Sequence, residues 1–118
     1  SIESGKTCMQ QLLALPSPPD GVFAVEDFTA LGAMQAMKEA GVQIPADVAL
    51  IGFGNEAFGA FITPSLSTVD QQTIRMGEEA AQLFFDHVEK NDFYTSAPPK
   101  KVLEPVLVFR QSSRKNET

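Results

Sequence analysis

Cysteine and histidine occur once each in the 118 residues, and tryptophan not at all. A lone Cys8 cannot close an internal disulfide, and one Cys with one His cannot assemble a metal site from soft ligands. No metal and no cofactor is therefore expected. Cys8 lies on a helical pattern, where a small buried apolar side chain is the simplest reading. Basic residues are outnumbered by acidic ones, 9 against 15, for a net charge of −6. That argues against a surface gripping a phosphate backbone, which needs clustered Lys and Arg. Lys100-Lys101 and the tail Arg110, Arg114, Lys115 read as solvated ends. No run of 18 apolar residues suggests a membrane span, and no signal peptide is visible. The opening "SIESGKTCMQQLLALP" lacks a starting Met and enters a helix within a few residues, which reads as a piece of a longer protein.

What is present is globular: 43% hydrophobic and 20% charged, enough for one domain or part of one. Residues 4–15 place Met9, Leu12 and Leu13 at helical spacing, and Pro16 ends the pattern. Residues 22–25 (VFAV) read as a short strand covered on both faces. Asp27 then stands as a helix N-cap, its carboxylate accepting from the first free N–H groups. The helix 28–40 carries Leu31, Met34, Met37 and Ala40 on one stripe, and Gly41 supplies a left-handed stop. A second buried strand follows at 48–53, so residues 22–53 spell strand–helix–strand, one parallel βαβ unit. Residues 67–71 look extended, 73–89 form a long helix with Ile74, Phe84, Phe85 and Val88 on its apolar face, and 90–99 is a loop. A last extended stretch, VLEPVLVF, is interrupted by Pro105.

The stretch Gly52-Phe53-Gly54-Asn55-Glu56-Ala57-Phe58-Gly59 imitates a dinucleotide-binding fingerprint, with Asp70 eighteen residues after Gly52. The imitation fails because Gly59 arrives two residues late. Only a loop closing on Pro64 separates it from the next extended run, with no room for a crossover helix. Open α/β sheets bind ligands outside the carboxyl ends of their strands. Two such ends are visible, Glu26-Asp27 and Gly54-Asn55-Glu56, and in one parallel sheet they open on the same edge. Glu26 is there either a ligand contact or a solvated loop carboxylate. No nucleophile–base pair can be named, so no catalytic residue is proposed.

Taken in order, Pro19-Asp20, Asp27, Ala30, Gly32, Pro45, Asp47, Gly52-Phe53, Asn55, Pro64, Leu66, Ser67-Thr68-Val69, Gln71, Met76-Gly77 and Ala80 resemble the effector-binding core of LacI/GalR bacterial transcription regulators. The likeness runs over roughly residues 4–113. Each motif alone is weak; the ordered set at fitting spacing is specific. The resemblance implies an α/β fold of the periplasmic-binding-protein-like type I class. In this partial chain it would be a parallel sheet flanked by helices. Residues 1–69 and 106–118 would belong to the C-terminal lobe, and 70–105 to the N-terminal lobe. It further implies a cytoplasmic, homodimeric sensor of a small-molecule effector, commonly a sugar, acting on operator DNA through a helix-turn-helix headpiece absent from this chain. The helix 73–89 would then lack its own sheet and expose its apolar face.

By the same resemblance the effector contacts fall at Glu26, Gly54 and Asn55, with Gln71 either a cleft residue or a hinge hydrogen-bonder. The family pattern has Asn where Glu26 stands and Asp where Gly54 stands. A carboxylate only accepts hydrogen bonds, whereas an amide also donates. The contact set is therefore altered toward a ligand bearing hydroxyl or amine donors, with extra space opposite Gly54. Leu31 and Met34 lie on the helix that pairs across the family's dimer axis, with core packing as the alternative for both. Phe61 and Ile62 join that interface as large apolar groups hard to bury beside a proline loop. A periplasmic sugar-binding protein of a transporter shares the fold and is the alternative; an α/β enzyme is the third reading.

Overall fold

The computed structural model describes residues 1–90, 95 and 97–115. Part of the loop expected over 90–99 thus lies outside the described residues. The chain divides into two compact units, Ser1–Asp70 with Leu107–Thr118, and Gln71–Val106.

In the first unit, helix α1 spans Ile2–Leu13. It starts at Ser1 through a capping box: the Ser1 hydroxyl accepts from Ser4 N, and Ser4 Oγ accepts from the Ser1 amine. It ends at Ala14, sooner than the pattern suggests. Pro16 has no N–H to donate, and it disfavours the helical conformation at Leu15 before it. The inward stripe is Gly5 and Met9, with Leu12 and Leu13 packed partly against the core. Cys8 falls off that stripe and is exposed, which corrects the buried reading.

Strand β1 (Gly21–Phe23), helix α2 (Asp27–Glu39) and strand β2 (Ala49–Ile51) form the expected parallel unit, with Gly21, Val22 and Phe23 paired to Ala49, Leu50 and Ile51. Gly41 has φ of +73°, the left-handed stop that only glycine adopts without strain. The buried face of α2 is wider than the stripe expected for it. Ala30, Ala33, Met34, Ala36 and Met37 join a core with Met9, Ala24, Val48, Leu50 and Leu66, while Leu31 is half-buried and Ala40 exposed. The cause is that α2 packs on α1 as well as on the strands. A Cβ at Gly32 would stand 1.8 Å from the Ile2 carbonyl oxygen, and one at Gly5 2.0 Å from that of Thr29. The two backbones meet where there is no side chain.

After a short 3-10 turn at Ala57–Ala60, strand β3 (Thr68–Asp70) runs beside β2 through a parallel bridge between Ile51 and Ser67. Strand β4 (Val106–Val108) pairs with β3. The following 3-10 turn, Gln111–Ser113, is stitched in by serines. The buried Ser112 Oγ donates to Leu50 O at 2.7 Å and accepts from Ser67 N at 2.8 Å. The strand VFAV is not covered on both faces within this unit: Phe23 is 57% and Val25 72% exposed.

In the second unit, helix α3 spans Thr73–Lys90 and buries none of its residues. Ile74 (81% exposed), Phe84, Phe85 and Val88 leave its apolar face open. Among the described residues no helix is long and apolar enough to cross a membrane.

Candidate functional site

The in-register pairing of β1 with β2 brings both strand ends to one edge. Beyond the strands the contact continues: Ala24 N donates to Ile51 O at 2.8 Å and Asp27 N to Phe53 O at 3.1 Å. On the other side Gly52 N donates to Ser67 O and Gly54 N to Val69 O. Three segments, 24–27, 52–56 and 67–70, therefore converge.

Asp27 stands at their centre, but not as a cap. The N-cap is Glu26, in extended conformation and without a side-chain cap bond. Asp27 is the first helical residue and is fully buried. Its Oδ1 accepts from Thr68 Oγ1 at 2.7 Å and its Oδ2 from Glu56 N at 2.7 Å. The carboxylate turns inward because Gly52 leaves room for it; a Cβ there would sit 2.2 Å from Oδ1. Charge-assisted bonds of this kind are each worth about 1.5–3 kcal/mol, so Asp27 staples the three segments together.

Glu26 faces outward, its side chain 46% exposed. One oxygen accepts from the Ser1 ammonium at 2.5 Å and from Thr29 Oγ1 at 2.7 Å. Gly54 has φ of +124° and open space around its Cβ position. A side chain there would be opposed by the backbone conformation and not by crowding.

Asn55, at φ +58°, is held on three sides. Its backbone N donates to Thr68 Oγ1 (3.2 Å), its Nδ2 to Asp70 Oδ2 (3.2 Å), and its Oδ1 accepts from Arg110 Nη2 (2.9 Å). Arg110 also donates from Nη1 to Leu66 O at 2.7 Å. It is half-buried and engaged, which corrects its reading as a solvated end. Nothing local in the sequence marks Arg110, whose partner Asn55 lies 55 residues away, and the motif that contains Thr68 does not tell that its hydroxyl meets Asp27. Gln71 opens the second unit and is half-buried.

Leu31, Met34 and Ile62 come together elsewhere. With Val42, Ile44 and Pro64 they line a concavity of about 600 Å³ that includes neither Glu26, Gly54 nor Asn55. Met34 also belongs to the core. Ile62 packs partly against that core, while Phe61 beside it is 86% exposed. Among the described residues no three His, Cys, Asp or Glu side chains stand close enough to hold a metal ion.

A parallel strand–helix–strand unit carries at its carboxyl edge an outward carboxylate, an open glycine and a fixed amide, an arrangement of the α/β class. The chain belongs to the periplasmic binding protein-like domain family, whose model matches residues 1–113. Its relatives are LacI-type regulators, as the ordered motifs imply. It is 37% identical over 115 residues to the HTH-type transcriptional repressor PurR of Mannheimia succiniciproducens, across 96% of this chain and 33% of that protein. A LacI family transcriptional regulator from Enterococcus faecium, solved with bound ribose, superposes with a TM-score of 0.81 at 30% identity, covering 96% of this chain and 40% of its own. The transcriptional regulator CelR in complex with cellobiose gives 0.84 at 32% identity, covering 96% of this chain and 34% of its own. The chain thus spans about a third of the length of the curated relatives it matches.

Proposed function

We propose that this chain is the effector-sensing segment of a LacI-type transcriptional repressor that takes a sugar or a sugar-like molecule. The observation that supports it best is the edge itself. Glu26 presents an outward carboxylate after β1, and Gly54, with open space at its Cβ position, follows the paired β2 on a turn held from behind by Asp27 and Asn55. A carboxylate accepts from sugar hydroxyls or from an amine, and a preorganised edge loses little on binding. Gln71 is either a further contact or a hinge hydrogen-bonder in this reading. Ribose and cellobiose in related regulators favour the same ligand chemistry.

The protein acts as a sensor and not as an enzyme, in the cytoplasm where its operator lies. Effector binding shifts a population between two arrangements of an effector-binding domain, whose lobes are the C-terminal one (residues 1–69 and 106–118) and the N-terminal one (70–105). The shift reaches a DNA-binding headpiece outside this chain. Two copies pair through Leu31, Met34, Phe61 and Ile62, whose exposed or concave apolar surface is of the kind that monomers rarely leave open. A transporter's sugar-binding protein shares the fold, but the repressor names of the relatives favour the regulator.

Calorimetry of the longer protein containing this segment, titrated with a panel of sugars that includes ribose and cellobiose, tests the reading. One sugar is expected to bind, with about tenfold or greater loss in Glu26→Gln, as for a lost charge-assisted bond. Unchanged affinity in the variant removes Glu26 from the site, and a panel without any binder sinks the sugar reading.

A further inference from the structure

The bonds around Asn55 have a direction. Arg110 carries only donors, Asp70 when ionised only acceptors, and the amide of Asn55 has one end of each kind. Arg110 Nη2 meets Oδ1, and Nδ2 meets Asp70 Oδ2, so the amide sits in the one orientation that satisfies both neighbours. An acidic residue at this position would keep Arg110 and repel Asp70. The left-handed backbone at Asn55 is one that asparagine tolerates better than most residues.

The two partners also have a special place along the chain. Asp70 is the last residue of the first unit before the chain passes into the second at Gln71. Leu107 is where the chain returns, and Arg110 follows three residues later. We propose that Asn55 is a positioning residue that ties the Gly54–Asn55 turn to both ends of this excursion, to the exit through Asp70 and to the return through Arg110. With one donor and one acceptor already committed inside the protein, Asn55 transmits the state of the turn; Glu26 and the space at Gly54 are left to face the ligand. The functional meaning of the tie rests on the turn being the effector edge, but the tie itself is testable without any ligand.

Amide hydrogen exchange by NMR on the chain provides the test. Gly54 N–H, bonded to Val69 O, reports the exit side; Arg110 N–H, bonded to Ser67 Oγ, reports the return side; Ala24 N–H, bonded to Ile51 O, is the reference. Asn55→Ala is expected to speed exchange about tenfold or more at both Gly54 and Arg110 while Ala24 is unchanged, the pattern of local opening. Asn55→Asp is expected to divide the effect, with Gly54 accelerated and Arg110 still protected. It also carries the test if the alanine variant does not fold. Acceleration of all three amides in parallel, or of neither reporter, would overturn the proposal. So would an Asn55→Asp variant that releases Arg110. A sugar panel without a binder would overturn the effector reading and leave this result standing.

Discussion

Glu26 and Asp27 are adjacent carboxylates with opposite fates, and the difference is one of direction. Asp27 points into the junction of three segments and receives two short hydrogen bonds; Glu26 points out and meets a terminal ammonium and a hydroxyl. Asp27→Ala orphans the Thr68 hydroxyl and the Glu56 N–H, so urea unfolding should show a loss of about 2–4 kcal/mol. At this scale the sequence was legible only in part. Glu26 and Gly54 stood out as departures from a motif. The burial of Asp27 and the engagement of Arg110 did not, because each depends on a partner tens of residues away.

The elements follow from periodicity, and their packing from what has no side chain. Short apolar runs at β1 and β2, helical spacing closed by Pro16 in α1 and Gly41 after α2 are local signals, and the structure places these elements within a few residues of the reading. The stripe expected on α2 was too narrow, since a pattern of Leu31, Met34 and Met37 does not tell that alanines 30, 33 and 36 face neighbours as well. Close approach of α1 to α2 at Gly5 and Gly32 is the reason for those small residues. Gly32→Ala raises helix propensity by about 1 kcal/mol yet forces a methyl into the Ile2 carbonyl. Overpacking of this kind costs about 1–3 kcal/mol, so a net fall in the thermal midpoint is expected. A rise would mean that the helices separate easily.

For the whole molecule, the unfilled surfaces are the informative ones. Phe61 projects beside the concavity at Leu31, Met34 and Ile62. If copies pair there, light scattering should give twice the 12.8 kDa chain mass. Phe61→Asp should return the value to that of a single chain by placing a charge where apolar contact is needed. An unaltered mass in the variant would place pairing elsewhere. The apolar face of α3 is exposed as well, and a dimer that survives Phe61→Asp would direct attention to it.

The sequence by itself determined the class of this protein: parallel α/β units and kinship with LacI-type regulators. These rest on apolar periodicity, on turn residues and on ordered motifs, all of which act over short spans of chain. Only the tertiary structure decided that Asp27 is a buried staple, that Cys8 is exposed, that α2 is packed on two sides and that Asn55 joins Asp70 to Arg110. Each of these depends on which distant groups meet in space, and hydrogen bonds and steric contacts act over a few ångströms regardless of separation along the chain.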